Sequence, residues 1–191
     1  MGWLNDKQIK MMGFASVGEN VLLSEKASYY NCGNIKIASN VRIDDFCVLS
    51  AGVGGIEIGN YIHIGVYSTL IGAGEITLND YCNISSRVSI YSSNDDYTGS
   101  AMTNPMVGSG YTDVQHADVI IGKHVIIGSG SLILPGVSLE EGVAIGAMSL
   151  VRNSCDYFGI YAGTPAKRIR DRKKDILILE KQFIQDQKDA E

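Results

Sequence analysis

An aliphatic residue returns at every sixth position along most of the chain, most plainly at Ile121, Ile127, Ile133, Leu139, Ile145 and Val151. Earlier copies begin at Val17, Leu23, Ile37, Ile43, Leu49, Ile58, Ile64, Leu70, Leu78, Ile84 and Ile90. Four positions after most of these starts stands another small or aliphatic residue, among them Val41, Cys47, Ile62, Ser68, Cys82, Val88, Val125 and Val143. A helix spaces its apolar residues by 3.6 and an ordinary strand alternates throughout, so neither carries a strict six. Very short strands joined by tight corners do, and three such hexads close one triangular coil. Coil starts then fall at Val17, Ile37, Ile58, Leu78, Ile121 and Leu139, with extra residues such as Gly52 to Gly55 as corner bulges. The pattern predicts an all-β parallel β-helix of about six coils, roughly 29 Å long at about 4.8 Å per coil.

Two segments break the rhythm. Tyr91 to Val119 is polar and turn-rich, contains Asn94-Asp95-Asp96-Tyr97-Thr98-Gly99, and reads as one long inserted loop of the kind that carries function. The tail beyond Asp171 places Ile176, Leu179 and Phe183 at helical spacing, which predicts an amphipathic C-terminal helix covering the open end of the prism. Residues 3–13 read as a short helix at the other end. The organisation is therefore an N-terminal segment (1–16), a repeat body (17–156, with the loop 91–119 inserted) and a terminal turn plus helix (157–191).

Of 191 residues, 45% are apolar and 19% charged, which is enough to bury a core and too apolar for disorder. A net charge of −5 argues against tracking nucleic-acid phosphates. No run approaches the roughly 18 apolar residues of a membrane span, and Met1 to Phe14 lacks a signal-peptide core, so a cytoplasmic protein is expected. Cys32, Cys47, Cys82 and Cys155 form no C-x-x-C and no Cys/His cluster, and no metal site is expected. Motifs of nucleotide hydrolases, dinucleotide enzymes, serine hydrolases and zinc proteases are missing.

The hexads, with Ile145-Gly146-Ala147-Met148-Ser149 and then Tyr161-Ala162-Gly163-Thr164-Pro165-Ala166-Lys167-Arg168-Ile169-Arg170, resemble the hexapeptide-repeat acyltransferases over about residues 17–170. The resemblance implies a left-handed parallel β-helix, a homotrimer, and transfer of an acetyl group from acetyl-CoA. It also implies a cis bond before Pro165. Ser129 and Ala147 match positions lining the pantetheine arm; Lys167 and Arg170, with Arg152 as a lesser candidate, match the coenzyme phosphates, which need fixed cations.

That family normally places a histidine on the loop after the third hexad; here the stretch is Ile90-Tyr91-Ser92-Ser93-Asn94-Asp95. In this it looks like members that acetylate the amine of a nucleotide-linked amino sugar, where an Asn-Asp pair stands at this place. An unprotonated amine is already a nucleophile and can dispense with a strong base. The expected acceptor is a sugar or nucleotide sugar, through a hydroxyl or an amine, in the assembly of surface polysaccharide or O-antigen. The alternatives are an antibiotic O-acetyltransferase of the chloramphenicol type and a non-catalytic β-helix scaffold.

His63 precedes the inward Ile64, so it faces outward in a column with Arg42, Asn83 and Ile126. It is a base, an acceptor contact or a surface histidine. Asp95 or Asp96 orients His63, holds an ammonium or accepts its proton; the bland alternative is turn capping. Asn94 or loop amides would stabilise the oxyanion. Asn83 and Tyr67 are candidates for touching the acceptor, Tyr67 by stacking. His116 carries no signature, and His124, in Gly122-Lys123-His124, reads as a structural corner residue.

Overall fold

In the computed structural model, which describes residues 2–189, each hexad is one short strand and one corner. Successive strands fall on three parallel sheets in turn. The first sheet stacks Ser16–Val17, Ile35–Ile37, Ile56–Ile58, Ile76–Leu78, Val119–Ile121 and Ser138–Leu139. The second stacks Val21–Leu23, Val41–Ile43, Ile62–Ile64, Asn83–Ile84, Ile126–Ile127, Ala144–Ile145 and Gly159–Gly163, and the third runs from Ser28–Tyr30 to Leu150–Val151. Six coils are complete, and a seventh is begun by Cys155, bridged to Leu139, and by Gly159–Gly163. The aliphatic hexads stop at Val151, so this last turn, carried by Cys155, Phe158 and Tyr161, left no periodic signal.

Register explains the period. Ile43 pairs with Ile64, Ile64 with Ile84, Ile84 with Ile127 and Ile127 with Ile145, all of them at most 3% exposed. Strands this short gain little alone; each inward side chain contributes roughly 1.5–3 kcal/mol only because a coil above and below covers it. The inserted loop leaves after Ser89–Tyr91 and returns at Val119, and its base is closed by an antiparallel pair, Ser93–Asn94 with Gln115–His116.

The corners require the left-handed region, and bulky residues occupy it alongside glycine. At the corner between the first and second sheets, Asn20, Asn40, Tyr61, Tyr81 and His124 have φ between 53° and 62°. Non-glycine residues lose about 1 kcal/mol there, which column stacking offsets, because side chains repeated at the strand spacing of about 4.8 Å meet face to face. Tyr61 and Tyr81 lie 5.0 Å apart at 4°, and Tyr81 and His124 lie 5.1 Å apart at 13°.

That aromatic column decides where the C-terminal helix goes. The helix α1 (Asp6–Met12) is capped by Asn5 and Gln8 near the first coil, whereas α2 (Asp175–Asp189) does not cover the open end as its pattern suggested. It packs along the side: Phe183 meets Tyr61 and Tyr81 edge-on, and Ile176 and Leu179 line the same groove. The stacked corners form an apolar stripe along the solenoid, a better partner than the terminal coil, whose second sheet is already continued by the antiparallel strand Ala166–Asp171. Glu180 accepts from Lys123 and lies 2.8 Å from His124 Nε2, so His124 is a structural residue.

Partial burial pushes the Glu180 carboxyl up, but hydrogen bonds and charge from Lys123 and His124 outweigh it and hold it below the ordinary value. A depressed carboxyl contributes stability that is present at neutral pH and lost as pH falls through its folded value. Glu180→Gln is expected to cost roughly 1 kcal/mol, or about 2–4 °C in Tm, at neutral pH. In thermal melts the difference from wild type should vanish below the carboxylate range; a constant difference down to acid pH would show that the clasp does not titrate.

Candidate active site

The alternation that buries Ile62 and Ile64 turns His63 outward on the second sheet. Register places Arg42 directly below it and Asn83 directly above. His63 Nδ1 lies 3.2 Å from Asn83 Oδ1, and His63 Nε2 lies 2.9 Å from Asp44 Oδ2. Arg42 Nε donates to the other oxygen of Asp44 at 2.7 Å, and its guanidinium lies 5.5 Å over the Trp3 ring. Burial pushes the Asp44 carboxyl up, yet the hydrogen bonds and charges of His63 and Arg42 hold it below the usual range. An ionised carboxylate only accepts, so His63 Nε2 carries a proton. Asn40, Arg42, Tyr61, His63, Tyr81 and Asn83 share a shallow depression of about 400 Å³.

Asp44 was not singled out from sequence. The signal was there: Arg42 and Asp44 flank the inward Ile43, so both leave the same side of the strand, one coil below a histidine. Within one chain Asp44, and neither of the loop carboxylates, is the partner of His63. Asp96 accepts from the amides of Thr98 at 2.8 Å and Ala101 at 2.9 Å. Hydrogen bonds from Thr98, then Ala101, pull its carboxyl down to about 2, and it caps a turn. Asp95 is exposed, and its carboxylate has no partner among the described residues. Asn94 is exposed, set in the loop-base ladder, and donates to the Asp95 carbonyl at 3.1 Å. His116 meets Ser93 Oγ at 2.8 Å and so closes the loop base. Among the described residues, no hydrogen bond or ion pair links the loop pair Asn94 and Asp95 to His63 within one chain.

Tyr67 also requires correction. Phe46 stacks on one side of its ring at 4.9 Å and the Arg87 guanidinium lies 5.4 Å from it in the next coil, so neither face is open to a sugar or base.

The basic terminus sorts into used and unused cations. Arg168 contacts the Tyr161 hydroxyl at 3.2 Å and Asp171 at 2.8 Å. Arg172 donates to the carbonyls of His124 and Gly142, and Lys174 lies 4.6 Å over Tyr157. Lys167, Arg170 and Arg152 are exposed and have no partner among the described residues. In the hairpin of Gly159–Gly163 with Ala166–Asp171 the register slips between Ile160 and Tyr161. The slip puts Arg168 and Asp171 on one side, as their ion pair requires, and alternation then puts Lys167 and Arg170 together on the other. Two unpaired cations on one side of a hairpin fit a polyanionic ligand. The Thr164–Pro165 bond is cis, and Ser129 and Ala147 are exposed, with the Ser129 carbonyl accepting from the Met148 amide at 2.9 Å. Among the described residues no group of histidine, cysteine and carboxylate side chains could hold a metal ion, and no helix is long and apolar enough to cross a membrane.

A family model described as "Bacterial transferase hexapeptide (six repeats)" matches residues 118–153. A dTDP-4-amino-4,6-dideoxy-D-glucose acyltransferase of Escherichia coli is 59% identical over 183 residues, covering 96% of this chain and 95% of that protein. The chain belongs to the hexapeptide-repeat acyltransferases. Among solved structures, AntD, an N-acyltransferase from Bacillus cereus in complex with dTDP and 3-hydroxybutyryl-CoA, matches with a TM-score of 0.93. It is 45% identical, over 97% of this chain and 98% of that one. A serine-to-cysteine variant of AntD, bound to dTDP-4-amino-4,6-dideoxyglucose and coenzyme A, matches with a TM-score of 0.90 at 45% identity over 96% and 97% of the two chains.

Proposed function

We propose that the protein transfers the acyl group of an acyl-CoA to the amino group of dTDP-4-amino-4,6-dideoxyglucose. The observation that carries this reading is the 59% identity, over nearly the whole length of both chains, to an acyltransferase named for that acceptor. The chemistry of the loop supports it: where a hydroxyl acceptor needs a base histidine, this chain presents Asn94 and Asp95.

The amine nitrogen attacks the thioester carbonyl carbon, the carbon–sulfur bond breaks, and the departing thiolate takes a proton from the attacking nitrogen to leave as a thiol. Because the amine arrives as an ammonium, a further proton must be removed first. His63 Nδ1 takes that proton as the acceptor displaces the Asn83 amide from it, since Nε2 is committed to Asp44. The unpartnered carboxylate of Asp95 holds the ammonium, Asn94 steadies the oxyanion, Asn83 contacts the acceptor, and Lys167 and Arg170, with Arg152 near them, meet the coenzyme phosphates. Holding both reactants together supplies much of the acceleration.

On one chain His63 lies on the second sheet, while Asn94 and Asp95 leave the third. The reading therefore includes a homotrimer in which the loop of one subunit faces the second sheet of its neighbour. Sedimentation as a stable 20.6 kDa monomer would overturn that part. Thiol release should require the amino sugar, with dTDP-glucose at least about 10²-fold poorer in kcat/KM. Equal turnover of the two would overturn amine transfer. Acetyl-CoA and 3-hydroxybutyryl-CoA, assayed side by side, decide the acyl group.

A further inference from the structure

Asp44 is a nearly buried charge that the solenoid itself does not ask for. In the column defined by the amide bonds of the second sheet, the equivalent residues are Ser24, Gly65, Ser85, Gly128 and Gly146. All of these are small and uncharged. At Gly65 the reason is visible, because a Cβ there would meet the Ser86 amide nitrogen at 2.9 Å. A carboxylate that is 5% exposed at such a place loses hydration that only well-made partners return. Its partners, Arg42 and His63, both face outward on the sheet that carries the acceptor candidates.

We infer that Asp44 is a positioning residue that fixes the His63 ring with Nδ1 toward the acceptor, an inference that rests on the acyl-transfer reading above. With Nε2–H donated to Asp44, the neutral ring has its single lone pair on Nδ1, and the Asn83 amide, 3.2 Å away, must turn its NH2 rather than its oxygen toward that lone pair. A ring without that partner would sample both tautomers and both flips. When Nδ1 takes the proton of the acceptor ammonium, the new positive charge forms next to an existing negative one. The proton passes to solvent after the thiol departs. Arg42 holds Asp44 from its other oxygen, so the carboxylate cannot swing away from the ring. Among the described residues lining the depression, Arg42 is the one other charged side chain; Tyr61 and Tyr81 are ionisable, and Cys82 is buried.

The test compares Asp44→Asn, His63→Gln and the double variant in the full chain. Asp44→Asn should lower kcat about tenfold or more while leaving the KM for acyl-CoA within about twofold. It should also move the acid limb of the kcat/KM profile to lower pH, because the protonated ring has lost its anionic partner. In the His63→Gln background the same substitution should have little further effect, as residues acting through one another are not additive. Asp44→Glu, which keeps the charge, should hold the acid limb near its wild-type position, and it serves where Asp44→Asn folds poorly. Nitrogen-15 spectra of the His63 ring provide a readout that needs no turnover: the proton sits on Nε2 in the wild type and exchanges between nitrogens in Asp44→Asn. If amino-sugar turnover fails while this tautomer is found, the acceptor reading falls and the orienting contact stands. An equal loss from Asp44→Asn with and without His63, or a wild-type ring unprotonated at Nε2, overturns the inference.

Discussion

With Lys167 and Arg170 both replaced by alanine, the KM for acyl-CoA rises about 10²-fold while the acceptor KM stays within about twofold. The expectation comes from where most other cations of this stretch are spent, Lys173 being exposed but outside the hairpin strand. Arg168 is held by Tyr161 and Asp171, Arg172 by the carbonyls of His124 and Gly142, and Lys174 lies over Tyr157. Lys167 and Arg170 share the remaining side of the hairpin, and each charge-assisted phosphate contact is worth roughly 1–3 kcal/mol. Calorimetry with coenzyme A should show the same loss, and added salt should weaken wild-type binding more than binding to the double variant. Arg168→Ala provides the contrast: it should lower Tm and change coenzyme affinity less. An unchanged coenzyme A Kd in the double variant would place the coenzyme elsewhere on the solenoid.

The bulge that brings these two cations together was invisible in the sequence, because a register slip depends on how two strands meet. Lys167 and Arg170 could be named only through the family resemblance, and strict alternation would have put them on opposite sides. The body of the fold was legible for the opposite reason. A period of six is itself the geometry of a coil, so the spacing alone stacks Ile43, Ile64, Ile84, Ile127 and Ile145, and the column Arg42, His63, Asn83 follows from the same arithmetic. The seventh turn escaped because Cys155, Phe158 and Tyr161 fill it without hexads.

Amphipathicity showed that one face of the C-terminal helix must be covered, but not by what. Its partner stripe consists of Tyr61, Tyr81 and His124, far apart in sequence and adjacent only after stacking. The same stacking occupied Tyr67 and removed it from the acceptor candidates. The missing loop histidine brought an amine acceptor into view through the family resemblance, with a hydroxyl left open beside it; the 59% identical relative favours the amine. Asp44 went unnoticed because its significance lies in a side chain that crosses from one coil to the next.

His63→Ala is expected to lower kcat by about 10²–10³ near neutral pH, with the deficit shrinking as pH rises. The pH dependence is the diagnostic part. An amino sugar presents an ammonium that cannot attack, so at neutral pH a base must remove a proton; at higher pH solvent does so, and the base is no longer needed. A histidine that only contacts the acceptor would instead leave kcat nearly intact and raise the acceptor KM at every pH. Asp95→Asn probes the other partner, because it keeps size and removes charge. Its carboxylate is exposed and unpartnered among the described residues, so no fold contact is lost and the effect should fall on the acceptor KM, largest where the amine is protonated. Combining the two substitutions separates the roles again: holding and deprotonating the same ammonium are coupled, so the double variant should lose less than the product of the single losses. Full activity of both single variants on the amino-sugar acceptor would move the site off the second sheet and the loop altogether.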